Sequence, residues 1–209
     1  MNKNTLELNN IEIKLGNQPL IYFNEEIKAG EVMTVMGPSG SGKSTLLAYI
    51  AGFLPEEFSA HGQVILNRLD ITRLPPEKRN IGLLFQDPLL YPHLSVEGNL
   101  LFALDKNKKN RKGKVNAILE SVGLGGFNKR DPATLSGGQQ SRIALARLLL
   151  SEPKAVLLDE PFSKLDSQLR AEIRALVFEK IQTAKLPCVL VTHDIEDANA
   201  AKGPCIHFA

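Results

Sequence analysis

Residues 37–45 read GPSGSGKST, which has the form GxxxxGK[ST] of a phosphate-binding loop. The apolar run Val32–Met36 precedes this stretch, and a helix-forming run follows at residues 46–53. The glycines allow backbone conformations that a side chain would oppose, so successive N–H groups can turn inward around an anion. A glycine-rich turn that binds nothing would not require lysine and serine directly after its last glycine. The stretch therefore predicts a nucleoside triphosphate site between a strand and a helix.

The polar positions of this loop each have an expected partner. Lys43 reaches the β- and γ-phosphates as a mobile positive charge, and Ser44 offers its hydroxyl to Mg²⁺. The helix that begins there directs the positive end of its dipole at the phosphates. The residues predicted to bind the nucleotide are Gly37, Pro38, Ser39, Gly40, Ser41, Gly42, Lys43, Ser44 and Thr45.

Length and composition argue against several classes of protein. The 209 residues suggest one domain, or one domain with an inserted lobe. With 25 basic and 23 acidic residues, the net charge of +2 is too balanced to indicate nucleic acid as a partner. No apolar stretch is long enough to span a bilayer, and the amino terminus lacks a signal-peptide pattern. We therefore expect a soluble protein that stays in the cytoplasm.

Two local features have mainly structural interpretations. A basic run with interleaved Asn and Gly favours a solvated loop over a contact with anionic lipid or a phosphate backbone. Its members are Lys106, Lys108, Lys109, Arg111, Lys112 and Lys114. Cys188 and Cys205 have apolar neighbours and no metal-ligand spacing, so both are predicted to be small core residues without a disulfide.

The spacing of apolar residues predicts an α/β protein. Strands are predicted at residues 6–13, 20–27, 32–36, 63–66, 81–85, 155–158 and 188–191, of which the first two form an antiparallel pair. Helices are predicted at residues 95–103, 115–122, from 136 onward, 166–183 and 194–200, with an apolar tail at the end. We predict a single domain over residues 1–209: a P-loop NTPase core with an antiparallel β subdomain (1–86 and 151–209) and an inserted helical subdomain (87–150).

A buried strand that ends in two acids is the second chemical feature. Residues 155–160 read AVLLDE, so the predicted strand ends in Asp159 and Glu160. We expect this strand beside the strand that precedes the phosphate loop. Asp159 would then hold Mg²⁺, usually through water, while Glu160 would orient and deprotonate the attacking water. A core strand that ends in two solvated acids is the alternative, and the phosphate loop upstream makes it the weaker one.

Residues 135–140 read LSGGQQ and distinguish between kinds of P-loop protein. Ser136 is predicted to cap a helix, and Gln139 completes a capping box. That local account does not explain Gly137 and Gly138. Without side chains there, the free N–H groups of the helix and the Ser136 hydroxyl can bind an external anion such as a γ-phosphate. Together with the phosphate loop and the paired acids, LSGGQ resembles the ATP-binding cassette (ABC) family over essentially the whole chain.

This resemblance implies a mechanism and its site residues. ATP and Mg²⁺ are the expected cofactors, and the expected partner is a second copy in a head-to-tail dimer that encloses two ATP molecules. The loop of one copy and residues Ser136, Gly137, Gly138 and Gln139 of the other would close on each ATP. Gln86 would contact Mg²⁺ and the water, and His193 the γ-phosphate. The implied catalytic residues are therefore Glu160, His193 and Gln86, and the implied metal ligands are Ser44, Gln86 and Asp159.

Two positions depart from the family pattern. Residues 163–166 read SKLD, where the dimer-contact loop of the family usually reads SALD, so Lys164 adds a charge. Many relatives place an aromatic residue against adenine at the position that Leu15 holds here. Leu15 or another residue, such as Tyr22 or Phe23, is then the expected base contact.

Residues 85–96 read FQDPLLYPHLSV and resemble the corresponding stretch of bacterial importers. This implies an ATPase that energises solute import through separate permease subunits, with a solute-binding protein as an indirect partner. The chain would lie on the cytoplasmic face of the inner membrane, and Leu89, Leu90, Tyr91 and Leu94 would form an apolar groove for a permease helix. An exporter-type subunit and a soluble non-transport ABC ATPase are the alternatives. The substrate cannot be inferred, because the permease and the binding protein select it.

Overall fold

The structure, a computed structural model, describes residues 4–208. It contains two compact units. The first comprises Met1–Leu83, Pro153–Glu160 and Phe178–Ala209, and the second comprises Leu84–Glu152 and Pro161–Val177. Both units are therefore assembled from segments that are distant in the sequence.

Nine strands and six α-helices are assigned within residues 4–208. The strands are β1 (Leu6–Leu15), β2 (Gln18–Ile27), β3 (Val32–Met36), β4 (Phe58–Leu66), β5 (Leu69–Asp70), β6 (Ile81–Leu84), β7 (Ala155–Asp159), β8 (Cys188–Val191) and β9 (Cys205–His207). The helices are α1 (Lys43–Ala51), α2 (Val96–Ala103), α3 (Arg111–Ser121), α4 (Gly137–Leu150), α5 (Ser167–Thr183) and α6 (Ile195–Ala201).

An antiparallel sheet has the strand order β2-β1-β4-β5, which confirms the predicted pairing of the first two strands. Along β1, Leu6, Leu8, Ile11 and Ile13 are fully buried. The step from Leu8 to Ile11 breaks the strict alternation of a strand, and the pairing with β2 shifts register there. Asn10 has a φ of 48° at this bulge. The extra residue keeps both halves of β1 directed at the core.

A second sheet has the strand order β6-β7-β8-β3-β9, and its strands β7, β8, β3 and β9 run parallel. The prediction that the strand ending in the two acids lies beside β3 was wrong, because β8 lies between them and pairs with both. The order of parallel strands depends on how crossover connections pass over the sheet, which apolar patterning does not reveal. One hydrophobic cluster joins residues of both sheets with Leu46, Leu47 and Ile50 of α1.

The second unit holds α2, α3, α4 and the first part of α5. Ser95 caps α2 by accepting a hydrogen bond from the Gly98 N–H at 3.1 Å. Asn99 is fully buried, and its amide donates to the carbonyls of Tyr91, Leu94 and Ser95 and accepts from the Tyr91 N–H. A single buried amide therefore fixes the turn that leads into α2.

Several predicted features differ in the structure. The predicted apolar tail contains β9, an edge strand on which Cys205 is exposed, so the prediction of a core position for Cys205 was wrong. Cys188 is buried as predicted, and burial raises the pKa of its thiol. The basic run is a loop only in part: Lys114 lies on α3 and, with Lys108, pairs with Glu152 at 3.6 and 2.6 Å. Within the described residues, no helix combines the length and apolarity that crossing a membrane requires.

Candidate active site

The phosphate loop leaves β3 and enters α1 at Lys43. Gly42 has a φ of 88°, and a Cβ atom there would lie 2.9 Å from Ile21 Cδ1 and 3.2 Å from Leu20 Cγ. The loop therefore lies directly against β2, and glycine suits both the conformation and the close approach. The first hydrogen bond of α1 runs from the Leu46 N–H to the Gly42 carbonyl at 2.9 Å. The N–H groups of residues 43–45 precede it and are available to an anion.

Lys43 is buried, and its ammonium lies inside the loop. Nζ donates to the Gly37 carbonyl at 2.8 Å and to the Pro38 carbonyl at 2.6 Å, and it lies 3.5 Å from Ser41 Oγ. Three neutral oxygens therefore surround the positive charge of the ammonium. A phosphate would accept a stronger, charge-assisted hydrogen bond from the same donor.

Ser44 and Asp159 form a pair of oxygen ligands at the start of α1 and the end of β7. Burial raises the pKa of Asp159 above its ordinary value. The Ser44 hydroxyl lowers this pKa by donating a hydrogen bond to the carboxylate. The negative charge of Glu160 raises the pKa further, and the positive charge of Lys43 lowers it. Mg²⁺ prefers such carboxylate and hydroxyl oxygens together with phosphate oxygens. The pair therefore has the donor set that Mg²⁺ requires.

Glu160 and His193 form the second pair of side chains at this site. Glu160 Oε1 lies 2.9 Å from His193 Nδ1, within hydrogen-bonding distance. The Glu160 N–H donates to the Val191 carbonyl at 2.9 Å, and Glu160 has a φ of 45°. A non-glycine residue in the left-handed region carries strain, which is common where a side chain must point in a functional direction. The carboxylate is therefore turned toward the end of β8.

A buried threonine and aspartate hold the turn that presents His193. Thr192 Oγ1 donates to Asp197 Oδ2 at 3.1 Å and accepts from the Asp194 N–H at 3.0 Å. Asp194 in turn caps α6 by accepting from the Glu196 N–H at 2.8 Å. Thr192 and Asp197 were not identified from the sequence. Their signal was available as a threonine directly after an apolar strand and an aspartate in the next helix, but it does not indicate which groups they contact.

Arg79 holds the opposite end of α1 and was also missed. It is 5% exposed, and its guanidinium donates to the carbonyls of Tyr49 and Ile50 in the last turn of α1, at 2.9 and 2.8 Å. It also donates to the Leu74 carbonyl at 2.8 Å and the Thr72 carbonyl at 2.5 Å. Burial lowers the pKa of Arg79. The helix that starts at the phosphate loop is thus anchored at its carboxyl end by a buried cation.

The remaining predicted site residues lie in the second unit. Ser136 caps α4: its Oγ accepts from the Gln139 N–H at 3.3 Å, and its N–H donates to Gln139 Oε1 at 3.0 Å, so the predicted capping box is present. A Cβ atom on Gly137 would meet no atom within 4 Å. Gln86 follows β6 and is exposed. The first unit brings together the phosphate loop, Asp159, Glu160 and His193.

Leu15 lies at the end of β1 and is 48% exposed. Tyr22 is also exposed, and its hydroxyl donates to Asn10 Oδ1 at 3.2 Å. Phe23, by contrast, is in the core of the first unit, where its ring meets the Phe208 ring edge-on at 6.1 Å. This burial removes Phe23 from the candidates for a contact with the base.

The phosphate loop, Glu160 and His193 follow the carboxyl ends of β3, β7 and β8, which run parallel in one sheet. The carboxyl ends of parallel strands meet at one edge of a sheet, where α/β proteins bind their ligands. This arrangement defines the class of P-loop nucleoside triphosphatases. The model of the ABC transporter family matches residues 22–163. The chain therefore belongs to the ABC transporter family and is an ATP-hydrolysing enzyme of that family.

Individual proteins of this family are similar over almost the whole chain. The uncharacterized ABC transporter ATP-binding protein YnjD of Escherichia coli K12 is 47% identical over 194 residues, 91% of this chain and 89% of the relative. The thiamine import ATP-binding protein ThiQ of Haemophilus influenzae is 44% identical over 189 residues, 89% of this chain and 86% of the relative. A dimeric post-hydrolysis structure of the ATP-binding cassette MJ0796, bound to ADP and Pi, superposes with a TM-score of 0.81 at 31% identity, covering 97% of this chain and 94% of that chain.

Proposed function

We propose that this chain is the ATPase subunit that energises solute import through separate membrane permease subunits. The observation that carries the catalytic part is the contact of 2.9 Å between Glu160 and His193, next to the Ser44–Asp159 pair and the phosphate loop. The import assignment draws on the named function of the relative ThiQ, a thiamine import ATP-binding protein, and on residues 85–96.

Each group at this site has a separate role in ATP hydrolysis. The N–H groups of the loop and Lys43 bind the phosphates and stabilise charge that develops on them. Glu160 accepts a proton from the attacking water, and His193 orients the Glu160 carboxylate and contacts the γ-phosphate. Ser44, Asp159 and Gln86 would hold Mg²⁺, which supplies positive charge against the β- and γ-phosphates when bound. The reacting water and the carboxylate therefore need the fixed geometry that the Glu160 backbone imposes.

A second copy of the chain completes the proposed site. Ser136, Gly137, Gly138 and Gln139 would meet the ATP bound to the loop of the other copy, as in a head-to-tail dimer. Gly137 leaves open space at the start of α4, which suits the approach of a phosphate. The related cassette MJ0796 is described as dimeric with ADP and Pi bound, which supports this arrangement.

The proposed partners place the chain at a membrane. The permease subunits would span the inner membrane, a solute-binding protein would act indirectly, and the chain would bind peripherally on the cytoplasmic face. We also propose that residues 1–86 and 151–209 act as the nucleotide-binding core and residues 87–150 as the helical subdomain that carries LSGGQ.

An exposed apolar patch in the second unit is the proposed permease contact. Its exposed members are Leu89 and Phe102, which are 56% and 66% exposed, and the half-buried Tyr91 adjoins them. The rings of Tyr91 and Phe102 lie 4.8 Å apart, and the Arg147 guanidinium lies 5.4 Å from the Tyr91 ring. Leu90 and Leu94, the other members of the predicted groove, are also half-buried. Large exposed aromatic and aliphatic side chains of this kind commonly mark a protein contact.

Replacing the proposed base tests the catalytic part. Glu160→Gln keeps the size of the side chain and removes its basicity, so turnover should fall at least about 100-fold while ATP remains bound. Size-exclusion chromatography with ATP and Mg²⁺ should then show an ATP-dependent dimer. Glu179→Gln, on an exposed site of α5, is the matched control. Turnover equal to that of the control would refute the role of Glu160, and a monomer under all conditions, including with the permease, would refute the shared site.

A further inference from the structure

Lys164 connects the segment after Gln86 to another part of the second unit. Its Nζ lies 2.5 Å from Asp87 Oδ1, and Asp87 directly follows Gln86 in the chain. Lys164 is also the position at which the motif SKLD departs from the usual SALD of the family. An alanine there has no side chain that could reach Asp87. The ion pair is therefore a property of this chain that the family pattern does not supply.

The main chain of Lys164 contacts a different functional segment. A Cβ atom on Gly138 would lie 3.2 Å from the Lys164 carbonyl oxygen and 3.8 Å from Leu165 Cδ2. The backbone at 164 thus lies against the first turn of α4, where the proposed γ-phosphate contacts are. Lys164 thus lies close to Gly138 through its backbone and contacts Asp87, the neighbour of Gln86, through its side chain.

A second cation holds the same segment from its other end. Arg147, on α4, donates to the Leu89 carbonyl at 3.0 Å and to the Pro88 carbonyl at 3.2 Å. Residues 88 and 89 are therefore tied to α4 through their backbone, whereas Asp87 is tied to Lys164 through its side chain. Because Asp87 is adjacent to Gln86, the Lys164 contact has the more direct influence on where Gln86 lies.

The ion pair is largely exposed to solvent, so its effect on the position of Gln86 can be measured apart from its effect on the stability of the fold. The side chains of Lys164 and Asp87 are 37% and 78% exposed. An ion pair in such a position contributes little to the stability of the fold, because solvent and salt screen it. A small displacement of the segment next to Gln86 can nevertheless lower the rate of catalysis when the pair is removed.

We propose that the Lys164–Asp87 ion pair is a positioning element for ATP hydrolysis, which holds the Gln86 segment in register with the turn at Gly137 and Gly138. Lys164 acts through Gln86 and does not itself touch the reacting atoms. The inference rests on the proposed role of Gln86 in hydrolysis. It deepens that role by assigning the residue pair that keeps Gln86 in place.

The test compares steady-state ATPase kinetics of single and paired substitutions. Lys164→Ala and Asp87→Asn should each lower kcat by about two- to fivefold, the range expected for an exposed pair, with the KM for ATP changed less than about twofold. The charge-swapped double variant, Lys164→Asp with Asp87→Lys, should recover most of the loss. Lys129→Ala and Glu172→Gln are controls at exposed positions of the same unit.

Two further measurements exclude a merely structural role. The melting temperatures of the single variants should equal those of the controls, and the ratio of wild-type to Lys164→Ala kcat should fall toward one at about 1 M NaCl, where screening is strong. The inference is wrong if kcat is unchanged, if melting temperature falls along with kcat, or if the swap restores nothing. Unchanged turnover in Glu160→Gln would instead refute the catalytic part of the proposed function.

Discussion

Arg79→Met is expected to destabilise the first unit strongly, because it removes a buried cation from four backbone acceptors. The guanidinium is 5% exposed and donates to carbonyls of residues 49, 50, 72 and 74. Two of these carbonyls belong to the last turn of α1, where a helix runs short of N–H groups. The Tyr49 carbonyl also accepts a hydrogen bond from the Gly52 N–H at 3.1 Å, so the Ile50 carbonyl depends more on Arg79. Methionine fills a similar volume with apolar atoms but offers the carbonyls no donor.

The size of the effect follows from these contacts. A hydrogen bond to a charged group contributes about 1.5–3 kcal/mol net, so four contribute roughly 6–12 kcal/mol before the cost of burying the charge. That desolvation cost is several kcal/mol. A buried carbonyl left without a donor costs about 1–3 kcal/mol, so the loss of the guanidinium costs about 4 kcal/mol once its own desolvation is recovered. Allowing about 1 kcal/mol for better apolar packing of methionine leaves a loss of about 3 kcal/mol. For a chain of this size, the melting temperature should fall by about 6–12 °C.

Urea denaturation followed by circular dichroism measures this change without nucleotide. Arg73→Met is the matched control, because Arg73 is an exposed arginine in the same segment, and it should change stability by less than about 0.5 kcal/mol. Arg79→Lys should fall between the two, since one ammonium can reach only some of the carbonyls. If Arg79→Met and Arg73→Met unfold at the same urea concentration with equal m-values, the anchoring role of Arg79 is refuted.

Three other substitutions test the site in the first unit. Gly42→Ala should lower ATP affinity more than Gly40→Ala, because both have φ near 85–88° but only the Cβ at 42 would meet Leu20 and Ile21; equal losses by calorimetry would contradict the packing argument. Asp159→Asn should raise the melting temperature of Mg²⁺-free protein at neutral pH, because burial raises the pKa of Asp159 and the ionised form is disfavoured in the fold. That gain should shrink as the pH falls and the native carboxyl becomes protonated, and a gain independent of pH would contradict the reasoning. Leu15→Tyr should tighten ATP binding about two- to tenfold, the range for aromatic stacking, whereas a strong preference of the native chain for ATP over GTP would indicate Tyr22 as the base contact.

Local rules predicted the elements whose ends carry their own signals. The cap at Ser136 could be predicted because capping depends on a few adjacent residues, whereas the cap at Ser95 was not predicted. The glycine-rich loop could be predicted because its motif also lies in a few adjacent residues. The helix after it was predicted from residue 46 but begins at Lys43, since the loop residues also satisfy helical geometry.

Contacts between distant segments could not be predicted in the same way. The position of β8 between β3 and β7 depends on the path of the whole sheet, and Arg79 resembles any arginine in a polar stretch until its four acceptors converge on it. Lys164 and Asp87 lie 77 residues apart, and neither sequence context indicates the other. The phosphate-binding role of the loop could therefore be predicted from one contiguous stretch of sequence. The contacts that support the loop depend on tertiary structure and could not.

The strand order also has a consequence for the order in which the chain can fold during synthesis. The phosphate loop follows β3, yet both neighbours of β3 in the sheet come from the far end of the chain, β8 beginning at Cys188 and β9 at Cys205. When only the first half of the chain has been synthesised, the GPSGSGKST stretch is present but β3 has neither of its neighbouring strands to pair with. Such long-range pairing folds slowly and exposes unpaired edges in the meantime. The phosphate loop is thus translated well before the two strands that flank β3, and its sheet edge can be completed only after them.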